Sequence, residues 1–278
     1  MKDLIRFTDL QLDEIDQIFH IADDINDGKY NDFLKGKSIV LFFPDTSIRT
    51  RVTFEKGIYL LGGQPIRFPS DTLDKKEEIR DVCGYLQQWA DAVIVRHKEI
   101  QLLEELAGYL KVPVINAMTD SNHPCEVLSD LYALSKIRDD FRRDKYLFCG
   151  ESGNIGLAWK EASQVIGFEL AQCCPVGCEI EGISVFHDMK EAVRGKDIIC
   201  TDSIPSELLK DFKDYQVTRE VMELANKNAL LNPCPPFYRG EEVSGDVIDS
   251  EYFVGYGFKK NLLAVQQAVM IYCLENQQ

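Results

Sequence analysis

The clearest indication of the fold is the segment Ser38-Ile39-Val40-Leu41-Phe42-Phe43-Pro44-Asp45-Thr46-Ser47-Ile48-Arg49-Thr50-Arg51. An apolar run of strand length ends here in small hydroxyl residues and two arginines, and the pattern of residues 52–61 predicts a helix. The N-terminus of a helix presents unpaired N–H groups, and its dipole favours negative charge. Together with Ser47, Thr50 and the guanidinium of Arg49, it makes a socket suited to a phosphate dianion. Taken alone, these residues fit a solvated strand-to-helix turn equally well.

Strand patterns alternate with helical patterns along the rest of the chain, which predicts an α/β fold built from parallel sheets. The predicted strands are 38–43, 65–68, 91–96, 112–116, 146–149, 169–173, 197–201 and 229–232. The predicted helices are 9–25, 52–61, 77–89, 100–110, 126–137 and 262–274.

A densely charged segment without apolar periodicity, residues 138–145, is the best candidate for a domain boundary. We therefore expect two domains, each a mostly parallel sheet flanked by helices. The first comprises residues 1–137 together with the C-terminal segment 262–278, whose helix packs back on it. The second comprises residues 138–261.

The bulk composition excludes several classes of protein. The 278 residues are 45% hydrophobic and 28% charged, as in soluble globular proteins. A net charge of −15 argues against nucleic acid or an anionic membrane as the main partner. No apolar run approaches the roughly 20 residues that span a bilayer, and the N-terminus lacks the apolar core of a signal peptide. We expect a cytoplasmic protein.

The nine cysteines fit that compartment, because their number is odd and they show no framework spacing. This pattern predicts free thiols. Cys173, Cys174 and Cys178 form the one close group, but no second Cys/His pair lies at zinc spacing. We expect buried or loop thiols there and no metal.

Four polar clusters follow predicted strands, at residues 47–51, 96–97, 116–123 and 232–239. In open parallel sheets, ligands bind at the carboxyl ends of the strands. His123 directly precedes a predicted helix, where it could polarise a carbonyl group or transfer a proton near neutral pH. A lone histidine in that place more often caps or packs against the helix, but this one belongs to a set.

Four motifs together resemble the aspartate/ornithine carbamoyltransferase family. They are Ser-x-Arg-Thr-Arg from Ser47, Ala-Asp-Ala-Val-Ile-Val-Arg-His from Ala90, His-Pro-Cys-x-x-Leu-x-Asp-Leu from His123, and Pro-Cys-x-Pro-x-x-Arg-Gly-x-Glu-Val from Pro233. They occur in the family's order and cover nearly the whole chain. The residues from Arg239 to Val247 are most similar to the ornithine branch.

The resemblance implies a transferase that moves the carbamoyl group of carbamoyl phosphate to the amino group of an amino acid or amine. It also implies a homotrimer with active sites between subunits, and no metal or organic cofactor. Thr50, Arg96 and His123 are the implied catalytic residues, since they would stabilise charge on the carbonyl oxygen. The residues implied to bind carbamoyl phosphate are Ser47, Ile48 through its backbone, Arg49, Thr50, Arg96, His123 and Glu126.

The resemblance also indicates an acceptor site, with ornithine as the favoured acceptor. Its implied residues are Asn154, Asp202, Ser206, Cys234 and Pro235. Cys234 would line the acceptor side, because the reaction needs no covalent intermediate. Lys75 lies where aspartate enzymes use a lysine contributed by a neighbouring subunit; the alternative is a solvated loop lysine.

The chain departs from the family pattern at four positions. Ile48 replaces a threonine, Glu126 a glutamine whose carbonyl accepts from the carbamoyl NH₂, Glu207 a methionine and Leu262 an arginine. A carboxylate at Glu126 beside a phosphate dianion is unfavourable unless cations offset it. Lys259 or Lys260 is the candidate substitute for the missing arginine.

Two rival functions remain open at this point. The spacing Gly150-x-x-Gly153-x-x-Gly156 after a predicted strand would suit an NAD-dependent oxidoreductase, although it is not the Gly-x-Gly-x-x-Gly of dinucleotide loops. The departures at Glu126 and Leu262 would suit a carbamoyltransferase-like protein that binds its ligands without turnover.

Overall fold

The computed structural model describes residues 2–276 and divides the chain into two compact units, each of which is considered by itself. Unit 1 comprises Met1–Leu134 and Lys259–Gln278, and unit 2 comprises Ser135–Phe258. Met1, Gln277 and Gln278, which the predicted first domain includes, lie outside the described residues.

Unit 1 is built on a four-stranded parallel sheet with the strand order β2-β1-β3-β4. The N-terminal Leu4 adds a parallel bridge to Ile115 at its edge. The elements are α1 (Leu12–Asn26), β1 (Ser38–Phe42), α2 (Arg49–Leu60), β2 (Gln64–Phe68), α3 (Ile79–Leu86), β3 (Ala92–Arg96), α4 (Ile100–Tyr109), β4 (Val114–Met118) and α5 (Pro124–Ser135).

Helix α2 begins earlier than the sequence predicted, at Arg49 instead of residue 52. The N–H of Ser47 donates to the carbonyl of Pro44 at 3.0 Å, which closes a turn directly after the strand. The N–H of Val52 then donates to the carbonyl of Ile48 at 3.1 Å and starts the helical ladder. As a result, Arg49 and Thr50 belong to the first helical turn, where the unpaired N–H groups lie.

Unit 2 is built on a five-stranded parallel sheet with the order β7-β6-β5-β8-β9. The helix Asn154–Ile166, the short strand β7 and three one-turn helices were not predicted. The strand and the one-turn helices are each too short to show a periodicity. The elements are β5 (Lys145–Cys149), α6 (Asn154–Ile166), β6 (Glu169–Cys173), β7 (Ser184–Phe186), α7 (Met189–Ala192), β8 (Ile198–Thr201), α8 (Arg219–Met222), β9 (Leu230–Pro233) and α9 (Gly245–Ile248).

The last helix, α10 (Asn261–Glu275), packs on α1 and α2. Gln267 Nε2 donates to the carbonyl of Gly57 at 3.1 Å, and a Cβ at Gly57 would lie 2.9 Å from the Gln267 side chain. The close approach thus depends on a glycine. The predicted fold, with two parallel sheets flanked by helices and the C-terminal helix on the first domain, is confirmed. Among the described residues, no helix has the length and apolar character needed to cross a membrane.

Candidate active site

The carboxyl ends of β1 and β3 bring three of the predicted residues into contact. Arg96, the last residue of β3, donates from Nη1 to Ser47 Oγ at 3.2 Å and to Thr50 Oγ1 at 3.4 Å. Ser47 and Thr50 are buried, so their hydroxyls are fixed next to the first turn of α2. The pairing between β3 and β4 shifts register between Val95 and Arg96, and such an irregularity re-aims the following side chain.

A cleft of about 300 Å³ opens at this edge of the sheet. Arg96 and its neighbour His97 line it, together with residues that follow β1 and β4. The full lining is Pro44, Ser70, Asp74, Arg96, His97, Lys98, Met118 and Asp120.

The other two phosphate-socket residues are at the start of α2 and face solvent. Ile48 is the residue before the helix, and its side chain is exposed. The guanidinium of Arg49 is exposed as well, and it forms no hydrogen bond or ion pair within residues 2–276. A cation without a protein partner at a helix N-terminus is available to an anion.

His123 directly precedes α5 and is buried. The pKa of His123 is lowered to about 4, mainly by burial; the Glu126 carboxylate opposes this effect, and the nearby cations Arg96 and Lys259 add to it. The imidazole is therefore neutral at physiological pH. Its Nδ1 is buried and has no hydrogen-bond partner among the described residues. A buried ring nitrogen without a partner is costly unless a ligand pairs with it.

Glu126, in the first turn of α5 and three residues after His123, is buried and ionised. Burial raises its pKa, but the Lys259 ammonium, His123 and Arg49 outweigh that effect, so its pKa lies below the ordinary value for a glutamate. Lys259 Nζ donates to Glu126 Oε1 at 2.9 Å and to Asp130 Oδ1 at 2.6 Å. The sequence named Lys259 as a possible substitute for the missing arginine, and the residue at the arginine position, Leu262, is buried in α10.

The predicted acceptor residues all lie in unit 2, after the carboxyl ends of β5, β8 and β9. Asn154 is the first residue of α6, and Asp202 follows β8. Ser206 lies on the exposed loop beyond Asp202. Cys234 follows β9, is buried, and donates its backbone N–H to the carbonyl of Thr201 at 3.0 Å.

The last predicted acceptor residue, Pro235, and two nearby acids also lie in unit 2. Pro235 is half-buried and precedes Pro236 in a cis peptide bond. The pKa of Glu151 is raised mainly by burial, and Glu207 lies close enough to raise it further. The edge of the sheet that would receive the acceptor is thus acidic.

Lys75, the proposed contact to a neighbouring subunit, lies in unit 1. It is exposed and follows the short 3-10 turn Ser70–Asp74. Asp74 of that turn pairs with His97, a link that the sequence analysis missed because the two side chains are 23 residues apart.

The glycines of the supposed dinucleotide loop have packing roles instead. A Cβ at Gly150 would lie 2.9 Å from Phe148 Cζ, and one at Gly156 would lie 2.6 Å from Phe148 Cε1 and 2.7 Å from Ile180 Cδ1. A side chain at Gly150 or Gly156 would therefore clash with Phe148 of β5, so the packing here needs glycine at both positions. The nine cysteines, including the group at Cys173, are all free thiols.

Comparisons with known proteins identify the family of the chain. The chain matches the models of both domains of one family: residues 2–136 match "Aspartate/ornithine carbamoyltransferase, carbamoyl-P binding domain", and residues 143–273 match the "Asp/Orn binding domain" of the same family. A protein of Methylobacillus flagellatus named ornithine carbamoyltransferase is 33% identical, over 99% of this chain and 97% of its own length.

Solved structures give the same result. The ornithine carbamoyltransferase from Pyrococcus furiosus superposes with a TM-score of 0.92 at 29% identity, and covers 99% of this chain and 97% of its own. The anabolic ornithine carbamoyltransferase from Campylobacter jejuni has a TM-score of 0.92 at 28% identity, with full coverage of both chains. Neither the oxidoreductase nor the inactive-protein alternative finds support. The chain therefore belongs to the aspartate/ornithine carbamoyltransferase family and is a carbamoyltransferase.

Proposed function

We propose that this enzyme transfers the carbamoyl group of carbamoyl phosphate to the amino group of an ornithine-like amino acid or amine, and that the products are a ureido compound and phosphate. One observation carries the proposal. Arg96 contacts Ser47 and Thr50 at the carboxyl edge of the first sheet, in the same unit as a buried, neutral His123.

The phosphate of the donor substrate is bound at the start of α2. The Ile48 N–H and the first-turn N–H groups point away from the helix, and Ser47, Arg49 and Thr50 add side-chain donors. Ile48 can replace a threonine here because only its backbone is used. A helix of 12 residues presents its positive dipole end to the dianion, and charge-assisted hydrogen bonds from Arg49 add to this attraction.

The carbonyl oxygen of the carbamoyl group is polarised by Thr50, Arg96 and His123. Negative charge builds on this oxygen as the amine attacks, so donors fixed before the reaction stabilise the transition state more than the ground state. Removal of one such donor typically costs about 3 kcal/mol of activation free energy. A neutral His123 keeps one ring N–H, which donates to the carbonyl oxygen, and it has no second proton to transfer to the attacking amine.

The chemical step needs only these groups. The lone pair of the neutral amine forms the new C–N bond, and the C–O bond to phosphate breaks, with its electron pair leaving on phosphate. The ammonium formed in the attack loses one proton to the released phosphate or to water. No bond to the protein forms at any stage, so Cys234 lines the site and is not a nucleophile.

The acceptor is held by residues of unit 2, namely Asn154, Asp202, Ser206, Cys234 and Pro235. Their support is their position after β5, β8 and β9, at the edge where parallel sheets bind ligands. The acids Glu151 and Glu207 at the same edge favour an acceptor with a positive charge remote from the attacking amine. Ornithine is the favoured candidate, since the relatives carry that name.

We further propose that the enzyme is a cytoplasmic homotrimer with active sites at the subunit interfaces and with Lys75 reaching a neighbouring site. An apolar stripe consists of Ile48, directly before α2, and of Val52 and Tyr59 on that helix, and these side chains are 72%, 57% and 75% exposed. A stripe of this kind usually marks a protein contact. The cytoplasmic location is supported by the nine free cysteines.

The assembly is tested with Val52→Asp, which places a charge in the stripe, and with Val176→Asp, which changes an exposed valine of unit 2. Light scattering of the unmodified enzyme should give about three times the 31.7 kDa of one chain. Val52→Asp should give a smaller species and Val176→Asp should not. A monomeric unmodified enzyme with full activity would exclude shared active sites.

The reaction is tested by measuring ureido product from carbamoyl phosphate with a panel of acceptors. The panel holds ornithine, lysine, putrescine, 2,3-diaminopropionate, aspartate, N-acetylornithine and N-succinylornithine. Arg49→Ala should abolish product formation, whereas Arg194→Ala, an exposed arginine of unit 2, should not. Absence of product with every acceptor would contradict the proposal.

A further inference from the structure

Three ionisable side chains form a buried cluster behind the carbamoyl site. Glu126 and Asp130 lie one turn apart on α5, and both are buried. Lys259, in the short 3-10 turn Tyr256–Lys260 that precedes α10, places its ammonium between them. The distances from Nζ are 2.9 Å to Glu126 Oε1, 2.6 Å to Asp130 Oδ1 and 2.8 Å to Asp130 Oδ2.

The cluster uses the hydrogen-bonding capacity of Lys259. A lysine ammonium has three protons, and three carboxylate oxygens lie within hydrogen-bond distance of the Lys259 ammonium. Lys259 is therefore not a spare cation for the phosphate, as a simple replacement of an arginine would be. Its position instead compensates two buried carboxylates, which would otherwise be too costly to keep charged.

The contact also orients Glu126. Lys259 binds Oε1 alone, and Oε2 makes no hydrogen bond within residues 2–276. An amide side chain offers one acceptor oxygen and one donor group. A glutamate with one oxygen tied to a lysine likewise offers a single acceptor oxygen, and the carboxyl lies close enough to His123 and Arg49 for them to lower its pKa.

We propose that Lys259 is a positioning residue of the carbamoyl site: it occupies Glu126 Oε1, and Oε2 accepts a hydrogen bond from the amino group of carbamoyl phosphate. The inference rests on the proposed function, because it assumes that carbamoyl phosphate binds beside His123. Its direct consequence is selectivity. Acetyl phosphate has a methyl group where carbamoyl phosphate has its amino group, so it cannot donate to Glu126.

The experiment compares the dissociation constants of carbamoyl phosphate and acetyl phosphate, measured by calorimetry without an acceptor. The unmodified enzyme should prefer carbamoyl phosphate by tenfold or more, as expected for a hydrogen bond to a charged acceptor. Lys259→Met should lose most of that preference, because Glu126 is then neither held nor charged. Lys111→Met, which changes an exposed lysine elsewhere in unit 1, should leave it unchanged.

A double-variant cycle separates positioning from a merely structural role. Glu126→Gln restores a neutral acceptor that needs no counter-ion, so adding Lys259→Met to it should change the preference little. If Lys259→Met itself fails to fold, all four variants of the cycle are made in an Asp130→Asn background, which removes the second buried charge. An equal loss of preference in the Glu126 and Gln backgrounds would overturn the inference.

The failure of this inference is distinguishable from the failure of the proposed function. An enzyme that forms a ureido product but binds both acyl phosphates equally well would refute the role of Lys259 and leave the reaction intact. An enzyme that binds neither acyl phosphate and forms no product would refute the proposed function itself, and the inference with it.

Discussion

Asp74 and His97 form a hydrogen bond at the rim of the cleft, with 3.0 Å between Asp74 Oδ1 and His97 Nε2. The N–H of Glu99 donates to His97 Nδ1 at 3.1 Å, so the ring proton is on Nε2 and points to Asp74. This bond ties the turn Ser70–Asp74, which leads into Lys75, to the residue that follows Arg96. The turn that precedes the proposed intersubunit lysine is thus anchored beside the proposed phosphate site.

We expect Asp74→Ala to lower kcat/KM several-fold, because the turn would lose its hydrogen bond to His97 and Lys75 would no longer be held in position. The melting temperature should change little, since the Asp74 side chain is 53% exposed and surface pairs contribute at most about 1 kcal/mol. Steady-state kinetics and thermal unfolding check both parts. Asp74→Asn, which keeps an acceptor oxygen, should restore activity, and Asp71→Ala in the same turn should behave like the unmodified enzyme.

The second prediction concerns the pH dependence of stability. The pKa of His123 is lowered to about 4 in the folded enzyme, mainly by burial, whereas the unfolded chain titrates near 6.5. The unfolded state binds the proton more tightly, so the stability gained from neutral His123 is present above pH 6.5 and is lost as the pH falls towards 4. The loss is on the order of 3 kcal/mol over this interval.

Urea unfolding between pH 4 and 7 measures this effect. His123→Gln should flatten the pH dependence by about that amount relative to the unmodified enzyme, because glutamine does not titrate. His20→Gln, which replaces an exposed histidine of α1, should leave the dependence unchanged. Curves of equal slope for the His123 variant and the unmodified enzyme would show that His123 is not held neutral by the fold.

The third prediction tests why Gly156 is a glycine. Gly156→Ala would bring a Cβ within 2.6 Å of Phe148, and overpacking of this kind costs about 1–3 kcal/mol of unfolding free energy. Gly108→Ala is the matched control, because this helical glycine has open space around it. It should stabilise the enzyme by roughly 0.5–1 kcal/mol. Urea unfolding compares the two, and a neutral Gly156→Ala would refute the packing role.

Sequence reasoning predicted the strand that ends before Ser47 and the helix that follows, because an apolar run and a helical period are local signals. It also named Arg96, which ends a predicted strand, and His123, which directly precedes a predicted helix. The start of α2 was misplaced by three residues, because the turn from Pro44 to Ser47 that begins the helix has no periodicity. The role of Lys259 could not be derived from a pattern, because 133 residues separate it from Glu126 in the chain.

The chain carries an acid, Glu207, where the family has methionine, and this leads to the last prediction. Glu207 raises the pKa of Glu151 beyond the effect of burial, so the two carboxylates lie close enough to repel each other at the proposed acceptor edge of unit 2. Two acids there attract a cation and disfavour a carboxylate. We therefore expect Glu207→Met to raise the KM for the cationic acceptor several-fold and to leave the KM for carbamoyl phosphate unchanged.

The salt dependence separates this charge effect from a loss of shape. Added salt screens the attraction of exposed charges, so the KM difference between the unmodified enzyme and Glu207→Met should shrink between low salt and 0.5 M NaCl. Glu181→Met, which removes an exposed acid elsewhere in unit 2, should not change the acceptor KM. A KM difference that persists at high salt would mean that Glu207 acts by contact or shape, and that its charge does not select the acceptor.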